Sequence, residues 1–238
     1  MERDYLIAGL RVRMDTFGRT AEQAEAYLAS TEGEPDITVI SIGEELREGC
    51  PHLSQDESEY LATGAYFYRR LIQFDAMMLH SSAVVMDGYA YLFSAPCGTG
   101  KSTHTTMWRE AFGYDQVLML NDDKPALRLE DGRWYAYGTP WSGKTAQNTN
   151  MKVPLGGICV LTRGEVNEII PFSGMPATLA LLEQTTRPPT IEGRGRLLEL
   201  ISNLLENVPI WKLKCTPTPD AARVSQKTMS EEAKKRFG

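Results

Sequence analysis

A strand, a glycine-rich turn and a helix in immediate succession constrain this chain more than any other feature in it. The apolar run Tyr89-Ala90-Tyr91-Leu92-Phe93 reads as a strand, and Thr103 to Phe112 reads as a short helix ending at Gly113. Between them lies Ala95-Pro96-Cys97-Gly98-Thr99-Gly100-Lys101-Ser102-Thr103, which has Walker A spacing with Ala95 where glycine is more usual. Gly98 and Gly100 let the backbone curl until successive N–H groups point at phosphate oxygens, with Pro96, Cys97 and Thr99 completing the cradle. Lys101 is placed to reach the β- and γ-phosphates, and Ser102 to ligate Mg²⁺. Thr103 follows in a helix whose first turn adds its own positive end. From average residue usage the relaxed pattern arises by chance in roughly 2% of chains this long, and the flanking strand and helix lower that further.

The acidic balance narrows the partners. A net charge of −6 over 238 residues argues against a nucleic-acid binder working through bulk charge. No apolar run reaches membrane-spanning length, and Met1-Glu2-Arg3-Asp4 lacks a signal-peptide pattern. The expected setting is the cytoplasm, where ATP is available. Cys50, Cys97, Cys159 and Cys215 are far apart and read as reduced thiols rather than a disulfide framework. Cys97 sits inside the loop, so its oxidation or alkylation should block nucleotide binding.

Two further segments add organisation. Met77 to Met86 and the strand from Tyr89 flank Asp87-Gly88, a strong hairpin signal, so the strand entering the loop should pair antiparallel with the one before it. Ala126–Leu129 and Trp134–Tyr137 flank a second turn, and Gln116–Leu120, Gly156–Leu161, 168–172 and Ile210–Lys214 read as strands. Ser54 or Asp56 should cap a helix running to about Phe74, with Tyr60, Leu61, Tyr68, Leu71 and Ile72 on or near its apolar face. Helices are also expected over 176–184 and 194–207. Residues 4–14 read as one strand, Thr20 to Ala29 as a helix, 37–42 as a β-rich run and 43–56 as a loop. The charged tail after Ser225 reads as a surface helix or a disordered segment. The expected division is a small α+β segment over 1–50, with no identifiable chemistry, and a phosphate-loop domain over 51–238.

Asp122 and Asp123 supply what the loop lacks. They follow an apolar strand about twenty residues after Lys101. Adjacent carboxylates at a strand end can divide two tasks: one ligates Mg²⁺, as Asp122 would alongside Ser102, and the other takes a proton from an acceptor hydroxyl, as Asp123 would. Lys144, in the donor-rich loop Gly138-Thr139-Pro140-Trp141-Ser142-Gly143-Lys144, is a candidate to offset charge in the transition state.

Leu79-His80-Ser81-Ser82, the hairpin, Gly98-Thr99-Gly100-Lys101-Ser102 and Asn121-Asp122-Asp123 together resemble the kinase core of HPr kinase/phosphorylase, itself related to the ATP-binding half of phosphoenolpyruvate carboxykinase. The chain is more closely similar to small HPr-kinase-like proteins, some of which phosphorylate serine on a peptide. The resemblance spans roughly 75–165. It implies an α/β carboxykinase-like P-loop fold with a mixed sheet, Lys101 and Ser102 on phosphate and Mg²⁺, Asp122 and Asp123 as metal ligand and base, and His80 at the active site. Thr103 stands where HPr kinases usually carry glutamate, and their later signature segment is absent, which argues against HPr as substrate. The implied activity is Mg·ATP-dependent transfer of the γ-phosphoryl group to a hydroxyl of a peptide, a protein or a small alcohol. A nucleotide-binding regulatory or scaffold protein is the rival reading. A homo-oligomer is compatible with either.

Overall fold

The strand that leads into the glycine-rich loop is gripped by neighbours of both polarities. The computed structural model describes residues 2–30 and 33–237. The chain opens with β1 (Arg3–Ile7), β2 (Leu10–Met14), α1 (Gly18–Ala24) with a 3₁₀ turn at Glu25–Tyr27, β3 (Ile37–Thr38) and α2 (Gly43–Gly49). There follow α3 (Gln55–Arg70) with a 3₁₀ turn at Leu71–Phe74, β4 (Ala76–Met78), β5 (Ser81–Met86), β6 (Tyr89–Ser94) and α4 (Lys101–Phe112). Then come β7 (Leu118–Asn121), β8 (Ala126–Glu130), β9 (Arg133–Tyr137), β10 (Lys152–Arg163) and β11 (Glu168–Pro171). The chain closes with α5 (Gly174–Glu183), α6 (Ile191–Asn207), β12 (Ile210–Cys215) and α7 (Pro219–Phe237).

These elements form a mixed α/β structure with a curled nine-stranded sheet of path β4-β8-β9-β10-β6-β5-β7, β12 lying beside β10 and β11 beside β12. β6 pairs antiparallel with β5, as the Asp87-Gly88 turn implies, and parallel with β10 on its other edge. The long β10 serves two sheet regions: its first residues run antiparallel to β9, and its later ones run parallel to β6 and β12. The change occurs at an irregularity between Leu155 and Gly157. A side chain on Gly157 would come within 2.5 Å of Trp211, and one on Gly156 within 2.9 Å of Tyr89, so close strand approach explains both glycines.

Alternation along the strands sorts the core into two faces. Tyr91 and Phe93 of β6 join Trp108 of α4 and Ala222 and Met229 of α7, while Ala90 and Leu92 join Leu181 of α5 and Ile201 of α6. A third cluster joins the three-stranded N-terminal sheet to Tyr60, Phe67 and Trp141.

Several sequence expectations are corrected here. Residues 4–14 are a hairpin rather than one strand, because Ala8 and Gly9 both take left-handed backbone angles (φ 54° and 73°) and form a two-residue turn. The run 77–86 is two strands: β4 pairs with β8, and β5 with β6 and β7. The β-rich run 37–42 keeps only Ile37–Thr38 as strand, and 43–56 contains α2 rather than loop alone. The helix expected over Thr20–Ala29 begins at Gly18 and ends as a 3₁₀ turn at Tyr27. Leu61 points outward, whereas Tyr60, Tyr68 and Leu71 are buried. The charged tail is the 19-residue α7, whose Ser225, Met229, Ser230 and Ala233 are buried. Small residues at that helical spacing let it seat closely, a pattern its charge obscures.

Candidate active site

The loop after β6 curls as its glycines permit. Gly98 and Gly100 have φ of 77° and 117°, in the region that favours glycine, and Thr99 N–H donates to the Pro96 carbonyl at 3.3 Å. Pro96, Cys97 and Gly98 are exposed, Thr99 and Gly100 half-buried, and α4 begins at once with Lys101. Lys101 is buried, its Nζ donating to the Ala95 carbonyl at 2.9 Å. Burial lowers its pKa, opposed by the charges of Asp123, Cys97 and Asp122 and reinforced by Lys124. The loop, the lysine and the acidic pair therefore lie within electrostatic reach of one another. Ser102 and Thr103 are exposed at the mouth of this first turn.

Asp122 closes a chain of hydroxyls that begins at that turn. Thr105 Oγ1 lies 3.1 Å from the Ser102 carbonyl and 2.7 Å from Ser82 Oγ, and Ser82 Oγ donates to Asp122 Oδ1 at 2.6 Å. The other oxygen, Oδ2, accepts from Thr145 Oγ1 at 3.1 Å. Neutral hydroxyls thus orient a buried carboxylate without neutralising it, the support a metal-ligating carboxylate requires. Hard oxygen donors on Asp122 and Ser102 fit Mg²⁺, which needs only one or two carboxylates when phosphate and water complete its shell. Among the described residues no cluster of three or more His, Cys, Asp or Glu could hold a metal by itself.

Asp123 has a different environment. Its Oδ1 is 3.1 Å from His80 Nε2, and its Oδ2 pairs with Lys124 Nζ. Burial alone would raise its pKa, but the His80 hydrogen bond and the Lys124 charge outweigh this and hold it at about 2. His80 Nδ1 faces Gln184 Oε1 at 3.0 Å, and its backbone N–H donates to the Gln184 carbonyl at 2.7 Å. The turn itself is set by Asn121: its Oδ1 accepts from the N–H groups of Asp123 and Lys124, and its Nδ2 donates to the Thr139 carbonyl at 2.9 Å.

The 138–149 loop forms the opposite wall. Trp141 is fully buried against Phe67, with ring centroids 4.9 Å apart, and fixes the loop to α3. Gly143 N–H donates to Tyr60 Oη at 2.7 Å, and a side chain on Gly143 would come within 3.1 Å of Asp123. Lys144 is exposed, and its charge acts on Glu57 in the first turn of α3; the acidic pair is met instead by Gly143, by Thr145 and by the Gln147 carbonyl, which accepts from Asp122 N–H at 3.1 Å.

Three contributors escape sequence reading. Lys124 lies on Asp123, and only its place next to the acidic pair could have drawn attention to it. The N-terminal layer supplies Gln23, which accepts from Ser142 Oγ at 3.1 Å, and Arg19, whose guanidinium lies 3.9 Å from the Tyr60 ring centroid. The third is a cleft of about 460 Å³ on the far side of the loop, lined by Gly98, Gly100, Met107, Leu161, Arg163 and Cys215. Arg163 donates to the Gly98 carbonyl across its mouth. His104 borders this cleft from α4, buried and held neutral at a pKa of about 4 by that burial, its Nε2 2.9 Å from Ser225 Oγ.

No family model matches the chain, and no curated protein is significantly similar in sequence. Among solved structures it is similar to the HPr(Ser) kinase/phosphatase from Coxiella burnetii, at 11% identity over 64% of this chain and 98% of that one, with a TM-score of 0.38. At that overlap the likeness assigns no activity to this chain. Among the described residues no helix is long and apolar enough to cross a membrane.

Proposed function

We propose that the protein is a Mg·ATP-dependent kinase that transfers the γ-phosphoryl group to a hydroxyl, best matched by serine in a peptide or protein. One observation carries this reading: the Lys101 loop and the Asp122–Asp123 pair share a site in which one carboxylate is oriented by hydroxyls and the other is paired with a histidine. The loop amides and Lys101 bind the phosphates, and the cleft beyond Gly98, whose lining includes Met107 and Leu161, takes the base. Asp122 and Ser102 would hold Mg²⁺, which would supply neutralisation of charge on the transferring phosphoryl group. Asp123 orients the acceptor hydroxyl and accepts its proton, and His80 holds the carboxylate in place. A carboxylate held near pKa 2 is a weak base, but nucleotide phosphates bound beside it raise that value. Phosphoryl transfer through a loose transition state also asks little of the base until late. Lys124 then moves from Asp123 to phosphate oxygens, a role that sequence reading gave to Lys144.

The test is transfer of label from γ-labelled ATP to a library of serine peptides and small alcohols, by wild type and by Lys101→Ala. Label moved by wild type alone supports the reading. Asp123→Asn should cut kcat by about 10²–10⁴ with ATP binding retained, the scale of a lost proton acceptor. Asp122→Asn should instead weaken Mg·ATP binding as well. ATP binding without transfer to any acceptor, from native extract included, would give the site to a regulatory protein instead.

A further inference from the structure

The first turns of α3 carry a buried carboxylate that the candidate site does not use. Glu59 is only 4% exposed. Its Oε2 accepts from Ser41 Oγ, which itself accepts from Gly43 N–H at 3.2 Å. Its Oε1 is buried and has no hydrogen-bond partner among the described residues. A buried carboxylate oxygen without a donor carries its full desolvation cost, and a bound cation relieves that cost.

Glu59 lines a pocket of about 370 Å³ formed by the end of β2, by α2 and by the start of α3. Gly43 packs directly on the carboxylate: a side chain there would come within 3.1 Å of Glu59 Oε2. The exposed carboxylates of Asp15, Glu44 and Glu45 share the lining, with Arg47 as its one cation. Among the described residues the side chains of Glu44, Glu45 and Arg47 make no ion pair. Burial raises the Glu59 pKa; the Ser41 hydrogen bond opposes this, and the Asp15 charge reinforces it. The pocket shares no lining residue with the Lys101 loop or the Asp122–Asp123 pair.

Its chemistry narrows the ligand. Among the described residues no group of three His, Cys, Asp or Glu could hold a metal ion, so a bare cation finds too few ligands here. An organic cation needs one ion pair at the floor and negative charge around it. A guanidinium fork is matched to both oxygens of a carboxylate, and Ser41 already occupies Oε2. A primary ammonium is a point charge that the single free oxygen can take. Phe17, exposed in the same lining, offers apolar surface to an alkyl stem.

We infer that this pocket binds a primary alkylammonium group, its nitrogen on Glu59 Oε1 and the carboxylates of Asp15, Glu44 and Glu45 around it. A lysine of a partner peptide and a free polyamine both carry that group. The inference stands apart from the kinase reading and holds whether or not phosphoryl is transferred. Isothermal titration of the full chain with spermidine and with a blocked Ala-Lys-Ala peptide tests it, with arginine and norleucine peptides as controls. One of the two amines should bind at a single site. Glu59→Gln keeps the side chain's size and an acceptor for Ser41, and should weaken that binding at least tenfold. A thermal melt of the variant reports whether the fold is kept. The double variant Glu44→Gln, Glu45→Gln alters only exposed side chains; it should weaken binding less and flatten its salt dependence. Affinity should fall from pH 7 to pH 5, as Glu59 takes up a proton.

Binding of neither amine would overturn the inference, as would binding that survives Glu59→Gln in a folded variant. So would an arginine or norleucine peptide that binds as tightly as the lysine peptide. Displacement of the amine by one equivalent of Ca²⁺ would give the pocket to a metal instead. Binding of the lysine peptide alone would support a protein partner as the source of the ammonium, and binding of spermidine alone would support a free polyamine.

Discussion

Lys101 shows how the site sets stability against binding. A lysine whose folded pKa is lowered by burial destabilises the folded state wherever it is charged in both states, and that penalty fades only as pH rises to its unfolded value of 10.5. Lys101→Met keeps the stem and removes the buried charge together with its bond to the Ala95 carbonyl, so at neutral pH Tm should rise if the burial penalty exceeds that bond. The same variant should lose nucleotide binding. Thermal melts with and without ATP check both halves, and a variant less stable than wild type would contradict the burial argument. Asp123 behaves oppositely. Its folded pKa of about 2 lies below the ordinary 3.8, so its contribution is present in full above about pH 4 and is lost as pH falls through 2. The difference amounts to about 2 kcal/mol. Urea unfolding of wild type and Asp123→Asn from pH 7 to pH 2 should therefore give curves that converge at the acid end.

Local geometry was legible in the sequence where residue type and spacing both carried it. Gly98 and Gly100 take the positive φ that the turn after β6 requires, and Asp122-Asp123 follows directly on the end of β7, as the apolar run before it implied. His80 was placed by resemblance, and its partner Gln184 lies 104 residues further on, so no local pattern could have joined them. Lys144 drew attention as the basic residue of a turn-rich loop, yet the direction a side chain takes in a loop is set by tertiary neighbours.

At the scale of elements, propensity was enough where a cap or a turn was spelled out. Ser54 accepts from Glu57 N–H and Glu57 returns the bond to Ser54 N–H, so α3 starts where a capping box says it should. Gly113, with φ of 97°, ends α4 just as visibly. The Ala8-Gly9 turn was missed because alanine rarely takes left-handed angles, and α2 was missed because Gly43 to Gly49 offers no apolar stripe. The same scale explains why Trp141 matters. It is buried in a loop, stacks on Phe67, and donates from Nε1 to Thr63 Oγ1 at 3.2 Å. Gly64 leaves room for it, since a side chain there would come within 2.9 Å of its ring. Trp141→Ala should cost about 3–5 kcal/mol and release the loop that brings Gly143 and Thr145 to the acidic pair. Trp141→Phe should keep most of the stability through the stack. Chemical denaturation gives the first quantity and kcat the second. If the alanine variant kept full kcat at a temperature where it is folded, the loop would have no part in positioning Asp122 and Asp123.

At the scale of the whole molecule, the first fifty residues are not a detachable ornament. Tyr27 Oη donates to Asn148 Oδ1 at 3.0 Å, Asn148 Nδ2 to Ser142 Oγ at 3.0 Å, and Ser142 Oγ to Gln23 Oε1 at 3.1 Å. This relay runs from α1 and the 3₁₀ turn after it to the wall of the site, and the apolar cluster of the N-terminal layer mixes Tyr5, Ile7 and Val12 with Tyr60, Phe67 and Trp141. Cutting the chain at residue 50 would leave those aromatics in water and Ser142 without its acceptor. The fragment 51–238 should therefore lose near-UV circular dichroism and bind ANS, the signs of a core that has lost fixed packing. A gentler probe separates fold from function. Gln23→Ala removes one acceptor from the relay, so stability should fall by about 1–3 kcal/mol, the penalty of an unpaired buried hydroxyl and amide. Its kcat should fall further than its affinity for ATP, because the relay supports the acceptor wall and not the phosphate loop. A variant with unchanged kcat and weakened ATP binding would place the N-terminal layer on the nucleotide side instead.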